Sequence, residues 1–280
     1  MMSLSDKVRN LGLDKPVGIM VEPKETIKFI EFLPDVNWNQ GYVVLLLIRS
    51  KGLKEKYGFK GTDHSLSIHV VPGYYDDVKF KLYLVLRRYS VMAKYSEEYY
   101  IYERHVGDRI EIYKIPQPLV ALMVSPNPTD WVRASVDTTS EFVNSLRDAL
   151  LASDRADEIV RRIDVRFGAN AMRRTKHVFH LIDIDRRDLI PEIEEKVHEI
   201  VGFMPARVIT KRGEHILVKV SEFTKSQARR WFIEIPKYID ELNKEYGAEE
   251  PVVEYKKNFQ EPVPGTIYRE YVPRFVPPER

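Results

Sequence analysis

Cysteine is absent from all 280 residues. That absence excludes a disulfide framework, a thiolate nucleophile and any zinc site built on cysteine, so no zinc is expected. Neither sign of charge dominates: 44 Lys and Arg stand against 42 Asp and Glu, a net charge of +2. A strongly basic nucleic-acid coat protein is thereby excluded, although local patches remain available. Long apolar runs are missing too, and stretches such as Tyr42–Ile48 are far too short to span a bilayer. The opening residues Met1-Met-Ser-Leu-Ser-Asp-Lys7 lack the apolar stretch of a signal peptide, so a soluble, cytoplasmic protein with no membrane partner is the expectation. Charged residues still make up 31% of the chain. Abundant charge with no cysteine and few Gln fits a heat-loving organism.

A chain of this length can bury a large core and suggests two domains. Residues 1–135 read as an antiparallel β-rich domain. Its expected strands are Val17–Val21, Tyr42–Ile48, Ser65–Val71, Val78–Leu86, Tyr99–Glu103, Arg109–Ile115 and Leu119–Val124, divided by turn signals such as Pro72-Gly73 and Gly107-Asp108. It contains no internal repeat and no catalytic motif. Tyr95, Tyr99, Tyr100 and Tyr102 read as strand packing, with a base-stacking platform as the alternative. His64, His69 and His105 are scattered and carry no assigned role. Residues 136–165 read as a helical junction: Thr138 and Glu141 have capping-box spacing, Phe142, Leu146, Leu150 and Leu151 recur at helical intervals, and Asp154 or Asp157 starts a second helix.

Residues 166–280 carry the clearest order. Lys176–Asp183 reads as a strand, and a helix capped by Asp188 follows, with Pro191 in its first turn. Then come strands at Arg207–Thr210 and His215–Val220, a long helix from Thr224 to Tyr246 kinked at Pro236 and closed by Gly247, and a strand at Val252–Tyr255. The order β-α-β-β-α-β is the split pattern of ferredoxin-like and RNA-recognition-motif folds. The fold class expected for the whole chain is therefore α+β.

The first of these strands ends in Asp183-Ile-Asp185. Alternation along a strand points both carboxylates the same way, and two acids so close repel unless protonated or bridged by a cation. A clamp for Mg²⁺ or Mn²⁺ is the functional reading, and a solvated strand end is the plain one. In the split topology the end of strand one, His215 at the start of strand three, and Glu249 and Glu250 ahead of strand four share a sheet edge. The basic turn Lys211-Arg212 lies there as well. Acids holding cations beside cations holding a phosphate chain suit in-line attack on a nucleoside triphosphate.

Leu181-Ile-Asp-Ile-Asp185, Lys211-Arg-Gly-Glu-His215 and Val263-Pro-Gly-Thr-Ile-Tyr268 resemble the three signature segments of archaeo-eukaryotic primases. In that family a strand ends in DxD, a hairpin carries an SGxxGxH-like motif, and a third acid precedes a PGSLH-like segment. The resemblance covers about residues 165–280, and it implies a primase-like domain with an RNA-recognition-motif-like core. It also implies that Asp183, Asp185 and Glu250 are catalytic metal ligands, with Glu249 competing for the third place. Lys211, Arg212, His215, Thr266 and Tyr268 then contact the nucleotide. Departures are Ile209-Thr210 for the family's Ser-Gly, Glu for the third Asp, Tyr268 for a His, and no zinc-binding cysteines.

The activity implied is template-dependent nucleotidyl transfer in DNA replication, by a primase or primase-polymerase using divalent metal and nucleoside triphosphates on a single-stranded DNA template, with a primase large subunit or other replication protein as the candidate partner. Arg173, Arg174, Lys256 and Lys257 are candidate template-phosphate contacts or solvated faces. The rival reading is a catalytically inactive, primase-like accessory or nucleic-acid-binding protein on the same fold. A metal-dependent nuclease is a third, which leaves the basic turn unexplained. His177 and His180 read as structural.

Overall fold

The computed structural model describes residues 2–48, 64–95, 100–106, 109–115, 120–152, 163–247, 250–268 and 270–279. Among the described residues, three helices and two strands come first: α1 (Leu4–Asn10), α2 (Pro23–Phe32), β1 (Gln40–Ile48), β2 (His64–Pro72) and α3 (Val78–Tyr95). A hairpin of β3 (Tyr100–Val106) and β4 (Arg109–Ile115) stands as its own two-stranded sheet. Then come β5 (Val120–Val124), β6 (Thr129–Asp130), α4 (Trp131–Ala152) and α5 (Ile163–Arg173). The remainder alternates: β7 (Phe179–Ile184), α6 (Ile190–Val201), β8 (Ala206–Ile209), β9 (Glu214–Lys219), α7 (Lys225–Tyr246), β10 (Val253–Lys256), β11 (Glu261–Pro262) and β12 (Arg274–Val276). The fold is mixed α and β, and its sheet pairings are antiparallel. Among the described residues no helix is long and apolar enough to cross a membrane.

β1 is the spine of the first sheet, whose main path is β11-β5-β1-β2. All of its residues but the first are buried. Alternation sends Tyr42, Val44, Leu46 and Ile48 into one core and Val43, Leu45 and Leu47 into another, so both faces are covered. Helices α4 and α5 lie over the second of these faces, through Ala134, Ala171 and Phe167.

The expectation of a β-rich first domain is corrected at two places. Val78–Leu86 is not a strand but the start of α3, whose buried Leu82, Tyr83, Val85, Leu86 and Ala93 follow helical spacing. Val17–Val21 forms only isolated bridges, Val17 to Met20 and Met20 to Thr266. The helical segment also begins earlier than expected. Thr138, read as a cap, lies inside α4 and donates its hydroxyl to the Ala134 carbonyl. The expected helix at Asp154 or Asp157 lies outside the described residues, as do the side chains of Tyr95, Tyr99, Tyr100, Tyr102, His64 and His105.

The second sheet has the order β10-β7-β9-β8-β12. β7 is an interior strand, flanked antiparallel by β9 and β10, and β8 pairs with β9. Ile182 and Ile184 of β7 join Ile193 and Val197 of α6 and Trp231, Ile235 and Ile239 of α7 in one core. Thr224 caps α7 with Gln227 in a reciprocal capping box, and Gly247 closes it at φ +54°. Phe179 and Leu181, on the other face of β7, enter the core that also holds α2, α3 and β1. The two sheets therefore share one interior. Asn127, fully buried, ties them: its amide nitrogen donates to the carbonyls of Phe179 and Lys257, and its oxygen accepts from the Val178 and Phe179 amides.

Candidate functional site

Phe179 and Leu181 point toward the first sheet, so Asp183, two residues further along β7, does the same. Register puts His215 of β9 directly opposite Asp183 on one side and Glu254 of β10 opposite on the other. The result is a chain of charges across three strands. His215 Nε2 lies 3.1 Å from Asp183 Oδ1, and Lys256 Nζ lies 2.7 Å from Asp183 Oδ2. The same ammonium pairs with Glu254. On its far side the imidazole donates from Nδ1 to Glu261 Oε1 at 2.7 Å. Glu261 belongs to β11 and so reaches His215 from the first sheet. It is 0% exposed, and among the described residues its Oε2 has no hydrogen-bond partner.

Burial would raise the Asp183 carboxyl, but His215 and Lys256 outweigh it and hold the group well below the usual carboxylate range. Burial would lower His215, whereas Glu261 and Asp183 draw it well above 6.5. Lys256 is likewise raised against its burial by Asp183 and Glu254. Glu261 goes up, because burial exceeds the pull of the imidazolium beside it. At neutral pH the cluster thus holds an ionised Asp183 between two cations.

Asp185 is exposed beyond the end of β7, and its amide donates to the Val252 carbonyl. Glu250, also exposed, precedes β10 by that same edge, while Glu249 lies outside the described residues. The basic turn stands there too. Thr210 and Gly213 bond to each other across it, Arg187 donates to the Lys211 carbonyl, and Lys211 and Arg212 face outward. A Cβ on Gly213 would stand 1.7 Å from the Ile184 carbonyl oxygen, so this position holds glycine because the turn abuts the end of β7.

Five expected site residues do not join this group. Thr266 is fully buried and donates its hydroxyl to the Val263 carbonyl; the Pro264-Gly265 turn before it is bound to α2 through the Thr26 hydroxyl and to the residues just ahead of α2 through the amides of Val21 and Glu22. Tyr268 packs on the opposite face of the first sheet, with Val43, Leu45 and Leu47. Arg173 and Arg174 line a groove of about 500 Å³ between α4 and α5, where they pair with Glu141 and Asp137. Of the other pair, Lys256 is in the cluster, whereas Lys257 is exposed beside the Phe232 ring. His180 is structural: buried, pushed down to about 4 by burial, it accepts from Trp231 Nε1 and pairs with Tyr255.

Sequence reasoning missed Glu254 and Glu261. Glu254 was findable, because in Val252-Val-Glu-Tyr-Lys256 the polar positions alternate with apolar ones and the strand pairing aligns Glu254 with Asp183. Glu261 left no signal, since it comes from a two-residue strand in a Pro-rich tail. Among the described residues no three His, Asp or Glu side chains converge to hold a metal ion. The cation lying between Asp183 and Glu254 is the chain's own ammonium. The donors around it are hard carboxylate oxygens, which suit Mg²⁺ or Mn²⁺ in its place. No family model, no curated protein and no solved structure matches this chain.

Proposed function

We propose that the chain is a primase-type nucleotidyltransferase, its second sheet and helices α6 and α7 forming an RNA-recognition-motif-like core. The observation that carries this reading is the meeting of Asp183, His215 and Glu254 on three adjacent strands, with the Lys211-Arg212 turn and Asp185 at the same edge. Asp183 and Asp185 hold the divalent cations, and Glu254, opposite Asp183, is the third carboxylate in preference to Glu250. Such cations, when bound, lower the pKa of an attacking hydroxyl and offset charge on the leaving pyrophosphate.

The chain's own groups do the rest. Lys211 and Arg212 attract the triphosphate, His215 presents a charged imidazole to it, and Lys256 would donate a further hydrogen bond to a phosphate oxygen. Single-stranded DNA is the template, and Mg²⁺ or Mn²⁺ the metal.

One observation favours a second reading. His215 and Lys256 already neutralise Asp183 without any metal, which suits a non-catalytic nucleic-acid-binding protein. Primer extension and de novo synthesis on single-stranded DNA, with either metal and labelled nucleotides, separate the two. Incorporation that falls by roughly 10²–10³-fold or more in Asp183→Ala/Asp185→Ala and in Glu254→Ala supports the enzyme. No incorporation with either metal, with single-stranded DNA still bound, sinks it in favour of the binding protein.

A further inference from the structure

We infer that Glu261 is a positioning residue that fixes the imidazole of His215 from the opposite sheet. Its consequence for activity rests on the nucleotidyl-transfer reading above; its geometry does not. An imidazole on a strand end rotates about two bonds unless a partner holds one nitrogen. Here Nδ1 is bound at 2.7 Å to a carboxylate that is wholly out of water. The carboxylate cannot drift, because its backbone is held in register. Glu261 pairs with Val124, Pro262 pairs with Met123, and the Val263 amide donates to the Leu122 carbonyl. Asn127 clamps the connecting segment at the Lys257 carbonyl. With Nδ1 committed to Glu261, Nε2 is the nitrogen left for Asp183 or for a phosphate oxygen that takes its place. A buried carboxylate is costly to keep, and among the described residues the second oxygen of this one has no hydrogen-bond partner. A residue needed only for packing would be apolar here.

The test compares wild type with Glu261→Gln, an isosteric change that leaves β11 intact, using His215→Gln to assign the signal. The expected result is a strongly deshielded imidazole N–H proton in the wild-type NMR spectrum. That proton is lost in His215→Gln and moves upfield in Glu261→Gln, while the thermal midpoint of Glu261→Gln identifies a folded protein. In primer extension the same variant loses on the order of 10–100-fold in kcat, the range for a lost orienting partner, with a smaller change in KM for template. Should Glu261→Gln fail to fold, Glu261→Asp provides the same readout, since it withdraws the carboxylate by one methylene. An imidazole signal and kcat unchanged in the folded variant would overturn the assignment. A wild type that incorporates no nucleotide, yet has the deshielded proton and loses it on substitution, refutes the enzyme reading and upholds the positioning.

Discussion

Asp183 and His215 were recoverable as a pair from sequence, because strand order and alternation decide which side chains face each other across neighbouring strands. Their energetics were not, since those depend on Glu261 and Lys256. Asp183 is depressed below 3.8, so its contribution is present above that pH and lost as pH falls through the lower folded value. His215 is raised above 6.5, so its contribution is complete below 6.5 and lost as pH rises through the higher folded value. Other groups blur the raw curve. His180, lowered to about 4, removes stability as pH falls from 6.5 toward 4, and Glu214, raised from 4.5 to about 7 chiefly by burial, removes it as pH rises through that interval. Subtracting His215→Gln from wild type removes those groups and reports the coupling of His215 to Glu261 and Asp183 together. The expected deficit is roughly 3 kcal/mol below pH 6.5, narrowing as pH climbs above it, as read from denaturant unfolding. A deficit that widens with rising pH would refute the pairing.

At the scale of elements, the last third of the chain was legible because its patterns are distinct: β7 and β9 are short apolar runs whose successive residues enter two cores, and apolar residues recur every three or four positions in α6 and α7. Val78–Leu86 misled because Val78, Phe80 and Leu82 alternate with Lys79 and Lys81, which satisfies a strand pattern over five residues. Only the longer spacing through Leu86, Ser90 and Ala93 identifies α3. Turns are a sharper test of how elements meet. Gly202 ends α6 at φ +86° with open space around its missing Cβ, whereas Gly213 has backbone 1.7 Å away. Gly202→Ala is expected to cost about 1 kcal/mol from backbone strain alone. Gly213→Ala should cost roughly 3 kcal/mol or more, because the Ile184 carbonyl must move and a strand pairing with it. Equal losses in denaturant unfolding would mean that the turn does not abut β7.

For the whole molecule, the sequence suggested a boundary near residue 166, and the arrangement of the cores bears on how that boundary behaves. Phe179, Leu181, Val208 and Leu217 of the second sheet pack in the same interior as Phe29, Ile30, Leu82 and Leu122. The tail crosses back twice: β11 joins the first sheet, and β12 joins the second while Phe275 packs its ring edge-on against Phe29 and at a tilt against Phe32. Composition and periodicity cannot reveal this, since an apolar strand face looks the same whether a neighbouring domain or a shared core covers it. A fragment of residues 166–280 would expose that whole face to water, at about 25 cal/mol for each Å² of apolar surface, while keeping only the core beneath α6 and α7. The fragment is therefore expected to lack a cooperative thermal transition or to aggregate. The full chain should melt once, with Trp231 fluorescence and the combined signal of Trp38 and Trp131 following the same curve. Two separated transitions in the full chain, or a soluble fragment with a sharp melt of its own, would mean that the second sheet folds independently and that the shared face contributes little to its stability.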